Sequence, residues 1–167
     1  LTGALPDRGV VVADPGPVGF WIARSAPTAF PGAVCVPATA EPGFAAAAAF
    51  VASLDGRRCL AVTDDDGAAE EMTRAVLDLA PKVGVGVGLQ VWGPDGASMT
   101  ADEHVALLAE LLDGPGGAGV ARSDRVARSD GTVSGGDGNQ RVASVAVDLS
   151  VPDELVELAG PVTVWAH

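Results

Sequence analysis

RRCLAVTDDDGAAEEMTRAVLDLAPKVGVGVGLQVW, residues 57–92, changes its hydrophobic period twice, and that change sets the fold class. Arg58 to Thr63 is a short, β-prone apolar run that reads as a buried strand. Ala68 to Leu79 spaces its apolar residues as a helix does, and Val83 to Val91 returns to a strand in which Gly alternates with Val. Glycines repeated along one face of a strand signal close approach by another backbone or by a ligand.

Working outward, the same alternation recurs on both sides. GVVVAD, residues 9–14, is a β-branched run that delivers an acid to a Pro-Gly loop, and Val18 to Ala29 follows as a helix stopped near Pro31. Val34 to Val36 reads as a second strand. Glu41 opens a helix over Pro42 to Leu54, with the proline in the first turn, where its missing N–H costs nothing. After the turn GPDG at 93–96, Asp102 to Leu112 is a helix introduced by Thr100 as N-cap, with Glu103 as its capping-box partner. Further on, Val142 to Leu149 reads as a strand, Pro152 to Leu158 as a short helix and Val162 to Trp165 as a closing strand.

Strands separated by helices of this length predict right-handed crossovers and a mostly parallel sheet covered on both faces, so the expected fold is a single three-layer α/β domain over residues 1–167. Residues 114–140, rich in Gly, Ser and Asp and carrying VARSD at 120–124 and again at 126–130, read as a flexible loop or insertion within it.

Composition narrows the function. Ten basic residues against 22 acidic ones give a net charge of −12, which repels a phosphate backbone and argues against nucleic-acid binding. No apolar stretch reaches the roughly 18 residues that a membrane helix needs. With no basic-then-apolar leader at the N-terminus, a cytoplasmic protein is the expectation. Cys35 and Cys59 each sit in an apolar run and read as reduced core thiols. Asp64, Asp65 and Asp66 are adjacent acids in one loop, a poor source of the converging oxygens that a hard cation wants, and no metal site is assigned to them. His104 and His167 have no evident catalytic partner in the sequence.

GPDGASMTADEHVALL, residues 93–108, resembles a stretch of transketolases that reads GPDG, then Thr-His-Gln, then a helix continuing Ala-Leu-Leu. AFPGAVCVPATAE, residues 29–41, is similar to the family segment in which Phe-Pro is followed, nine residues after the Pro, by Ala-Glu and an Ala/Gly-rich helix. VVVAD at 10–14, Ala23-Arg24 and the ending GPVTVWAH fit the same pattern, so the chain resembles the pyrimidine-binding domain of a transketolase-type thiamine diphosphate enzyme, standing alone.

The resemblance implies a thiamine diphosphate-binding fold in which Glu41 is the catalytic, cofactor-binding residue. A carboxyl group on N1′ of the aminopyrimidine favours the imino tautomer that takes the thiazolium proton. It further implies a split enzyme transferring a ketol or acyl unit, working with a diphosphate-binding partner subunit that carries magnesium, and hence a homo- or hetero-oligomer. An acid in a helix's first turn also suits the helix dipole by a few tenths of a kcal/mol, about 1 at most, whatever its catalytic role.

Departures accompany the matches. Met99 and Thr100 replace the expected His and Gln, and TDDDGAAEE at 63–71 replaces a segment whose aromatic rings stack on the pyrimidine. Losing such stacking forfeits on the order of 1 kcal/mol or more. Trp92, just before the GPDG turn, offers a ring for cofactor binding, although a lone Trp more often belongs to the core or its rim. The alternative reading is a non-catalytic scaffold or interaction subunit that keeps the fold without the cofactor.

Overall fold

Every residue of Val10–Ala13 is buried, as a strand covered on both faces requires, and this strand, β1, occupies an interior place in the sheet. The computed structural model describes residues 9–39, 43–112, 140–153 and 155. Along the chain follow α1 (Pro17–Ser25), β2 (Val34–Cys35), α2 (Phe44–Leu54), β3 (Cys59–Asp64), α3 (Asp65–Ala69) and α4 (Glu71–Leu79). A 3-10 turn (Ala80–Val83), β4 (Val87–Gly93), α5 (Ala101–Leu112) and β5 (Gln140–Ala146) complete the described elements.

The five strands are all parallel in the order β2-β1-β3-β4-β5, which gives the expected α/β class. Strand residues alternate cleanly between two cores. Val11, Ala13, Leu60, Val62 and Trp92 pack with Ile22 of α1 and Leu108 of α5. Val10, Val12, Ala61 and Leu89 pack with Ala45 and Ala49 of α2 and Val76 of α4. The steps β3–α4–β4 and β4–α5–β5 move the same way across the sheet with their helices on opposite faces, so α5 departs from the uniform hand expected of the crossovers. Residues 113–139 of that connection lie outside the described residues.

Several boundaries differ from the sequence reading for local reasons. α1 ends at Ser25 because Ala26 precedes Pro27 and is pushed to extended backbone, φ −76° and ψ 131°. The strand expected from Val83 begins at Val87, since Ala80 and Pro81 open a 3-10 turn that Gly84 closes at φ 76°. The expected helix over 68–79 is broken at Glu70, whose extended backbone separates α3 from α4. Cys59 is buried and its thiol pushed up to about 12 by desolvation, whereas Cys35 is exposed on edge strand β2 and is not a core residue.

Other expectations hold. Glu103 Oε2 accepts from Thr100 N and Thr100 Oγ1, each at 2.8 Å, which completes the capping box and lowers the Glu103 carboxyl below its usual range. A Cβ on Gly88 of β4 would meet the Leu111 carbonyl oxygen at 2.6 Å, so this glycine admits the α5 backbone, whereas Gly84 and Gly86 precede the strand and Gly84 has open space around it. The loop expected over 114–140 stops short of Gln140, the first residue of β5; its residues 114–139, the strand at 162–165 and the helix beyond Leu155 fall outside the described residues, and no described helix is long and apolar enough to cross a membrane.

Candidate functional site at the carboxyl ends of β1 and β3

Doubly wound sheets bind ligands outside the carboxyl ends of their strands, where successive crossovers leave to opposite faces. In the order found here that switch lies at β1 and β3, and the residue at the end of β1 is Asp14, only 4% exposed. Its Oδ2 accepts from Thr63 Oγ1 at 2.5 Å and from Gly43 N at 3.4 Å, and its Oδ1 accepts from Ala45 N at 2.8 Å. Gly43, the N-cap of α2, has no side chain with which to satisfy the first-turn N–H groups. Asp14 supplies that cap from a different strand, where the positive end of the helix favours a carboxylate.

The end of β3 is closed by its own chain. Asp64 caps α3, its Oδ1 accepting from Gly67 N at 2.9 Å, and Thr73 Oγ1 donates to the Gly67 carbonyl at 2.7 Å. A Cβ on Gly67 would collide with Thr63 Oγ1 and the Asp14 carboxylate, and one on Gly93 would collide with the Asp65 carboxylate. Asp14 and Thr63 are thus bonded to each other at the ends of β1 and β3, while the exposed Asp65 lies over Gly93 at the end of β4. Phe44, the ring next to Gly43, is half-buried against the core that α2 shares with α4.

Glu41 lies outside the described residues. What is described is Gly43, two positions on, fixed by Asp14. Trp92 is 6% exposed within the core shared with α1 and α5, and its indole N–H donates to Gln90 Oε1 at 2.9 Å. The sequence-predicted pair of Glu41 and Trp92 is therefore not seen together, and Trp92 turns its polar atom inward. The three adjacent aspartates are likewise divided: Asp64 is a helix cap and Asp65 lies over Gly93. Among the described residues no group of three or more His, Cys, Asp or Glu converges as metal ligands.

Two polar groupings were missed in the sequence. One is Asp14, whose signal was an acid ending an otherwise apolar strand. The other joins Gln90, fully buried, to His104 of α5, with Gln90 Nε2 and His104 Nε2 2.8 Å apart. Its signal was a lone amide in a strand of Val, Leu and Gly, since a buried amide must find partners. A shallow depression beside the end of β5 is lined by Pro94 and residues 146–149, and its one acid, Asp148, is turned back to accept from Ser150 N at 2.9 Å.

Fold and site together define a doubly wound parallel α/β domain whose switch point is closed by polar contacts. Compared with known proteins, the chain matches no protein-family model and no curated protein.

Proposed function

We propose that this chain is an interaction subunit of transketolase-like ancestry, which keeps the pyrimidine-domain fold as a docking platform and does not itself hold the cofactor. The observation that carries this reading is the outer surface of α2 and α4. From Phe44 to Leu54, α2 has no ionisable side chain, and a helix apolar on all sides is ordinarily covered on all sides. Its inner face packs Ala45, Ala46 and Ala49 on the sheet, yet Val51 is 64% and Leu54 55% exposed. Met72, Leu79 and Val83 are exposed on and after the neighbouring α4. Burying a Val or Leu side chain contributes about 1.5–3 kcal/mol, which this face gains only in an assembly.

The polar contacts at β1 and β3 support the same reading, since Asp14, Thr63 and Asp64 use their side chains to cap helices and to bond each other. The test is Val51→Asp with Leu54→Asp. Sedimentation velocity of the tagged, cell-purified protein should show the wild type in an assembly and the double variant as a folded monomer. A wild type that is monomeric at all concentrations contradicts the proposal.

A second reading is the split enzyme itself, in which Glu41 serves a partner that brings magnesium and the diphosphate contacts. It is favoured by one feature, the hold of Asp14 on Gly43 and Ala45, which fixes the chain just after Glu41 at the switch point. In that case ketol- or acyl-transfer activity of the assembly would vanish in Glu41→Gln.

A further inference from the structure

We propose that Trp92, Gln90 and His104 form a proton-sensitive latch that holds the first half of α5 against the sheet. The argument begins at the indole, which can only donate. Because Trp92 Nε1 lies 2.9 Å from Gln90 Oε1, the amide is oriented with its oxygen towards Trp92 and its NH2 towards His104. His104 Nε2, 2.8 Å from Gln90 Nε2, must then accept, so the imidazole is neutral and carries its proton on Nδ1.

Protonating His104 puts a donor where the relay needs an acceptor. Rotating the Gln90 amide does not help, because its NH2 would then face the Trp92 N–H. Either way one hydrogen bond is lost, and the group left without it is Gln90 at 0% or Trp92 at 6% exposure, where water is a poor substitute.

Among the described residues no acidic group acts on His104. The strand side chains in the core with α5, among them Leu60 and Val62 of β3 and Ala143 and Val145 of β5, are not ionisable. On α5 itself the neighbours one turn away, Thr100, Ala101, Leu107 and Leu108, are neutral, and Glu103 is engaged with Thr100. Burial accordingly pushes the imidazole below its ordinary 6.5. For a histidine whose folded-state pKa is depressed, the unfolded chain binds more protons, so stability is full above 6.5 and is lost as pH falls towards the folded pKa.

The position of the latch tells which part moves. α5 buries Leu108, Leu111 and Leu112, all in its second half. Before them Ala101, Asp102, Glu103, Val105 and Ala106 are exposed, so the first two turns are tethered by His104, the capping box and the half-buried Leu107. Acid releases those turns while the leucines hold the rest.

Nitrogen-detected NMR on the full chain from pH 8 to 4.5 tests this. His104 should show the Nδ1–H tautomer at neutral pH and titrate below 6.5, and the Trp92 indole N–H resonance should shift with the same midpoint. Amide exchange at 101–107 should accelerate at least about tenfold through that midpoint beyond the intrinsic pH trend, with 108–112 unchanged. His104→Gln, which can accept from Gln90 but cannot titrate, should keep the Trp92 resonance and abolish its pH dependence. Gln90→Glu, whose carboxylate accepts from both neighbours, should raise the His104 midpoint above 6.5. If Gln90→Glu does not fold, the His104→Gln result decides alone. A His104 that titrates at or above 6.5 in the wild type, or that titrates without moving Trp92, overturns the latch.

Discussion

Two buried polar groups tie helices to the same sheet, and they differ in what holds them. Asp14 gathers three donors from β3, the α2 cap and α2 itself, at the switch point of the fold. Gln90 is one link in a linear relay from Trp92 to a half-buried histidine on the opposite face. A node with converging donors has no single bond on which everything depends, whereas a relay fails whenever one member changes its proton. The node therefore belongs to the permanent architecture, and the relay is where conditions can act on it.

The largest effect should come from breaking the node. Asp14→Ala leaves the Thr63 hydroxyl and the Gly43 and Ala45 N–H groups without their partner, and urea unfolding should show a loss of about 3 kcal/mol or more. Gly67→Ala forces a methyl group between Thr63 and Asp14, and should cost about 1–3 kcal/mol by the same measurement.

The relay should respond differently. Trp92→Phe removes the donor that orients Gln90, and should destabilise by about 1–3 kcal/mol at neutral pH. It should also move the His104 midpoint upward, because Gln90 can then present its oxygen to the imidazolium. Neither node variant should move that midpoint, and a shift in Gly67→Ala would erase the distinction between the two groups. The smallest effect lies outside both: Thr100→Ala loses only the exposed capping box and should cost about 1 kcal/mol in thermal unfolding.

The alternation of strands and helices was legible because buried parallel strands must be continuous apolar runs, and GVVVAD and RCLAV are such runs. The Thr100–Glu103 box was legible because it is complete within four residues. The node was not, since Asp14 meets donors about thirty and fifty positions away, and only the strand order brings them together. Trp92 stands beside the GPDG turn, and residue parity along β4 turns it into the core, the commoner place for a lone Trp. The same parity aims Gln90 at α5, and His104 therefore has a partner that sequence spacing did not reveal.

The exposed Val51 and Leu54 of α2, with Met72 and Leu79 among the charged residues of α4, and the Asp14 node at the switch point both favour a platform over a cofactor half-site. The most direct measurement is calorimetric titration of thiamine diphosphate with magnesium into the chain alone and into the assembly purified through it. The account predicts neither heat nor stabilisation attributable to this chain, so the assembly with Glu41→Gln should bind as the wild type does. Cofactor binding that weakens at least tenfold in Glu41→Gln would contradict it and establish the split enzyme instead.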